Sequence, residues 1–199
     1  MSVMTGTAKV LRYAAFTLMT LLGLLGGLFV VGYAFTDLSI GTAIASTAAW
    51  LVPTLVLCVI AFRAPDRAAP WFVALTGVIA VLSILNASFD LVDEDALGPV
   101  TAIVVFALAV PLGFLGLHRS ALSGLLLVLL GLTHLGAVAL GFSGELVDGE
   151  GPRLANMLTG SGIVVVPLVV VGILFLVAGA LTHDSLRFWH LPPTAHPAH

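Results

Sequence analysis

Residues 121–142 read ALSGLLLVLLGLTHLGAVALGF, a run interrupted by a single ionisable side chain, His134. A hydrocarbon layer of roughly 30 Å is crossed by about 20 apolar residues in a helix rising 1.5 Å per residue. The run meets that length, and its apolar residues do not alternate with period two, so a helix is expected and a barrel strand is not. Five further runs of the same kind flank it: 13–35, 42–62, 71–89, 100–117 and 155–181. The breaks between runs are short and polar, and none is long enough to fold as a soluble domain. The expected fold is all-α: a polytopic membrane protein with six transmembrane helices in one bundle over residues 1–183, followed by a cytoplasmic tail over 184–199.

Composition agrees. The chain is 60% hydrophobic and 9% charged over 199 residues, whereas a soluble domain carries about 25% charge. That excludes a secreted domain, a disordered chain and a soluble enzyme. Seven Lys and Arg residues in all leave no basic patch for nucleic acid. The lipid bilayer is therefore the expected surrounding, and a membrane protein or a second copy of the chain the expected partner.

Cations near span ends are retained on the cytoplasmic side. With six spans, Lys9, Arg12, Arg63, Arg67, Arg119 and Arg187 fall on one side, and Arg153 is the exception. Asp37, Asp90, Asp93, Glu94, Asp95, Glu145, Asp148 and Glu150 fall on the other, with only Asp66 and Asp184 among the cations. Both termini are expected in the cytoplasm, at the plasma membrane. The first run is too long for a signal-peptide h-region and lacks a small-x-small cleavage site, so it reads as a retained helix. One lysine against six arginines, with heavy use of Ala, Val, Leu and Gly, points to a bacterial chain from a GC-rich genome.

Val52-Pro53, Val110-Pro111 and Val166-Pro167 recur in the second, fourth and sixth spans, and the acidic turns at 90–99 and 145–152 resemble one another. Together they suggest three tandem helical hairpins in the same orientation. Each proline removes a backbone hydrogen bond and crowds the preceding turn, so Pro53, Pro111 and Pro167 are candidate kinks.

In lipid, helices associate through small residues and hydroxyl or amide hydrogen bonds. The expected inward faces run through Thr17, Thr20, Gly23 and Gly27 on the first span, Thr76, Ser83, Asn86 and Asp90 on the third, and Gly124, Gly131, His134 and Gly141 on the fifth. His134 is the ionisable group nearest mid-membrane, where such groups are expensive to bury. Either it is a neutral core histidine donating to a carbonyl or hydroxyl, or it serves as a ligand or proton relay; no second central acid or base completes a pathway. Thr76, Ser83, Asn86, Asp90 and His134 are accordingly the candidate intramembrane polar cluster. Contact between helices is their expected role.

No catalytic, cofactor or metal set emerges. His118 precedes His134 by 16 residues, about 24 Å along a helix, too far to share a haem iron. The remaining histidines lie in or near the tail, outside zinc-site spacings. Cys58 stands alone, excluding an intramolecular disulfide and Cys-x-x-Cys chemistry. The carboxylates at 90–95 lack the glycine and terminal glutamate of an EF-hand. Hydrolase, metalloprotease and nucleotide motifs are absent.

The stretches Trp50-Leu51-Val52-Pro53 to Ala61-Phe62-Arg63, and Ser161-Gly162 through Pro167 to Gly172-Ile173-Leu174-Phe175-Leu176, resemble a loosely defined set of small bacterial multi-pass membrane proteins of unknown function. The resemblance covers the second and sixth spans and implies no activity, cofactor or binding residue. The expected role is a non-enzymatic accessory or structural subunit of a membrane complex. A transporter or channel for a small neutral or weakly polar solute is the alternative, and a haem- or quinone-linked membrane enzyme the third.

Overall fold

The computed structural model describes residues 2–37, 39–89, 100–143 and 165–182. They form six helices: α1 (Ser2–Asp37), α2 (Ile40–Arg63), α3 (Pro65–Phe89), α4 (Val100–Gly116), α5 (Ser120–Ser143) and α6 (Val165–Thr182). All but α4 contain a stretch long and apolar enough to cross a membrane. At 17 residues, α4 spans about 26 Å, just under the hydrocarbon thickness. Among the described residues there is no strand.

Helix ends follow local chemistry. Ser39 caps α2: its hydroxyl accepts from the Thr42 amide, and its carbonyl accepts from the Ala43 amide at 2.8 Å. These bonds satisfy groups the first turn leaves open. Ala64 alone separates α2 from α3, donating its amide to Ile60 O at 2.9 Å and accepting from the Ala68 amide at 2.9 Å. The α4–α5 turn takes three residues, Leu117, His118 and Arg119, with the His118 and Arg119 amides both reaching Leu115 O at 3.0 and 2.8 Å.

Two starts differ from the apolar runs. The third helix begins at Pro65 rather than near Trp71, because proline at the first helical position has no amide to satisfy and a preset φ. The first begins at Ser2 rather than near Tyr13. Its face through Ala8, Ala15 and Met19, all fully buried, carries the helix beyond the apolar border, and Arg12 is tied to the same bundle end (below).

The interior is built by backbones that nearly touch. Where α5 meets α6, a β-carbon added to Gly124 would sit 2.6 Å from the Gly172 carbonyl oxygen, and one added to Gly179 would sit 2.8 Å from the Ala121 amide nitrogen. Glycine is thus required for this approach, as expected where small residues replace hydrophobic drive between helices in lipid. Helix α1 lies along α6 and α4, with Gly23 against Val110 of α4, and Gly27 meets Trp50 of α2. Helix α3 packs mainly on α5, and α2 mainly on α4. Leu108, Leu112, Leu115, Leu127, Leu130, Leu168 and Phe175 fill the space between.

The three expected hairpins are unequal in packing: α5 and α6 are intimate, whereas α1–α2 and α3–α4 meet sparingly. The helical assignment runs unbroken through Pro53, Pro111 and Pro167. Pro167 falls in the first described turn of α6, and residues 155–164 of the expected span lie outside the described residues.

Candidate functional site

Three of the five residues singled out in the sequence are enclosed by protein. Thr76 is 0% exposed, His134 3% and Ser83 8%; Asn86 is half-buried. Asp90 lies outside the described residues. On α1 the expected face is corrected. Gly23 and Gly27 are buried and Thr20 is half-buried, with its hydroxyl bonded to Phe16 O at 2.9 Å, but Thr17 is exposed. On α5, Gly124, Gly131 and His134 are buried as expected; the surroundings of Gly141 lie outside the described ones.

Depth along the bundle follows from a fixed reference. Arg119 donates from Nη2 and Nε to Asp66 Oδ1 at 2.6 and 3.0 Å, which sets the start of α3 level with the start of α5. Counting at 1.5 Å per residue, His134 lies about 22 Å beyond Arg119 and Ser83 about 25 Å beyond Asp66, nearly the same depth; Thr76 sits about 15 Å in. Helices α3 and α5 pack together, so the two carry one imidazole and two hydroxyls, all buried, at these depths inside the apolar layer.

The oxygen Thr76 Oγ1 is buried with no hydrogen-bond partner. That departs from the habit of helical hydroxyls, which Thr54, Thr133 and Ser88 follow by donating to the carbonyl four residues back. Nδ1 of His134 is likewise buried without a hydrogen bond, while the residue is engaged through another interaction. A buried polar atom left unmade costs about 1–3 kcal/mol. Chemically these buried groups offer hydrogen bonding. Among the described residues no group of three or more His, Cys, Asp or Glu could hold a metal ion.

A second polar assembly, at the cation-bearing end, was not singled out from sequence. Arg12 of α1 donates from Nη1 to Leu117 O at 3.2 Å and from Nη2 to Ser120 Oγ at 3.3 Å and Thr182 Oγ1 at 3.4 Å. Leu117 follows the last residue of α4, and Thr182 is the last of α6. One guanidinium therefore sits at the C-terminus of α4, where the macrodipole favours a cation, and beside the last described residue of α6. Beside it, Phe62 meets the His118 ring edge to face at 5.7 Å, and Ser123 Oγ donates to Leu112 O, binding α5 to α4. The sequence signal was present, in that Arg12 and Ser120 flank spans on the same expected side, but the charges served only to orient the chain.

Comparison with protein-family models, with curated proteins and with solved structures finds no match to this chain.

Proposed function

We propose that this chain is a non-enzymatic structural or accessory subunit of a membrane assembly, in the plasma membrane of a bacterium, with six crossings and both termini in the cytoplasm. The observation that supports the role is the enclosure of Thr76, Ser83 and His134. A transport path or a reaction centre needs its intramembrane polar groups open to water or substrate, and here those groups are buried among helices. The orientation is supported by the Arg12 contacts, which bring the α1 side of the N-terminus and the C-terminal end of α6 to one end of the bundle. That end also holds Arg63, Arg67 and Arg119, and cations are retained on the cytoplasmic side.

Purification in mild detergent from the native membrane tests the role. A stoichiometric membrane-protein partner, or a defined homo-oligomer, is expected to co-purify. A solitary, monodisperse protomer overturns the proposal.

A further inference from the structure

The α2–α3 corner joins three features. First, the two helices are linked by Ala64 alone yet touch little along their lengths, because α2 is held by α4 and α3 by α5. Joined at one residue and held by different neighbours, the two arms pack only slightly on each other. Second, each arm carries an exposed apolar face that ends at the apex in an arginine. On α3, Trp71, Val78, Leu82, Leu85 and Phe89 are exposed within a sector of about 60°, with Arg67 at its head. On α2, Val52, Val56, Val59 and Phe62 lead to Arg63.

Third, the corner is positively charged. The groups there are Arg63, Arg67, Arg119, Asp66 and His118, and Asp66 is taken by Arg119. Arg63 and Arg67 are exposed and make no ion pair among the described residues. Trp71, 75% exposed one turn below Arg67, marks the headgroup level, where indole rings gather.

We propose that this corner binds an anionic phospholipid, its phosphate between Arg63 and Arg67 and its acyl chains along the exposed faces of α2 and α3. The chemistry that selects it is paired: guanidinium groups that prefer a phosphate, set above an apolar surface of acyl-chain length. The inference rests on the membrane-embedded reading but not on the accessory role.

The test uses the full chain with Trp50 and Trp189 replaced by Phe, so that Trp71 reports alone. The protein is reconstituted in phosphatidylcholine vesicles containing a minor fraction of brominated phosphatidylglycerol or, separately, brominated phosphatidylcholine. Phosphatidylglycerol is expected to quench Trp71 at concentrations on the order of tenfold lower. The variant R63Q/R67Q should lose that preference, R63K/R67K should keep most of it, and K9Q, which changes a cation outside the corner, should keep it. Equal quenching by the two lipids, a preference surviving in R63Q/R67Q, or a K9Q loss as large as that of R63Q/R67Q each overturns the site. Flotation with plain phosphatidylcholine vesicles is scored in parallel: failure to float sinks the membrane reading itself, whereas floating without lipid preference sinks only this proposal.

Discussion

Arg12 shows how one side chain can fasten a bundle end. Its guanidinium meets a carbonyl after α4, the first hydroxyl of α5 and the last hydroxyl of α6, so a single residue ties α1 to three helices. Hydrogen bonds to a charged group contribute roughly 1.5–3 kcal/mol where they are sheltered. R12A is therefore expected to lower stability by about 2 kcal/mol in detergent unfolding titrations, and R12K by less, since an ammonium keeps the charge although it cannot span three acceptors in a fork. Equal stability of R12A and the parent would show the contacts to be incidental. Glycines supply a matched pair. G124A drives a methyl into the Gly172 carbonyl, and overpacking costs about 1–3 kcal/mol. G77A meets nothing within 4 Å and should gain roughly 0.5–1 kcal/mol from helix propensity. The same titration reads both, and the two changes must move in opposite directions. Thr17 illustrates where residue type misled the reading of the sequence: it is small and polar like its buried neighbours, but lies roughly 160° around the helix from Ala15, on the outer side.

Among elements, the apolar runs made five spanning helices legible because length against bilayer thickness is a strong constraint. Helix starts were less legible, since Pro65 and the Ala8 face extend helices into polar sequence for reasons of backbone chemistry and packing that apolarity does not record. The buried glycines of α5 were readable from their spacing; their partner Gly172 was not, because small residues on one helix do not say which neighbour will approach. Pairing strength was the least visible property, and α2 shows the consequence. Its buried positions Ala43, Thr54, Cys58 and Ala61 form one narrow stripe, so it is held on a single side. The Asp66–Arg119 pair at its foot is solvent-exposed on the acid's side, and exposed pairs contribute about 0–1 kcal/mol. D66N should accordingly shift unfolding far less than G124A does. A loss as large as that of G124A would mean that the pair fastens α3 to α5 as firmly as the glycine seam fastens α5 to α6.

At the scale of the molecule, the ends of the helices decide topology. Arg12, the α2–α3 turn, the α4–α5 turn and Thr182 are gathered at one end by the Arg12 and Arg119 bonds, while Ser39, the exposed cap between α1 and α2, belongs to the opposite end. The orientation proposed above, from charge retention, places the first end in the cytoplasm. This is checkable with single cysteines in a C58A background, which removes the buried native thiol. K9C and R67C should resist a membrane-impermeant maleimide in intact cells and react in inside-out vesicles. S39C should do the reverse. Lys9 and Arg67 are separated by α1 and α2, two crossings, so they must behave alike if each helix spans the bilayer. Opposite labelling of K9C and R67C would mean that one of these helices lies along the interface, and inverted labelling of all three would turn the molecule over and move the Arg63–Arg67 corner to the outer leaflet.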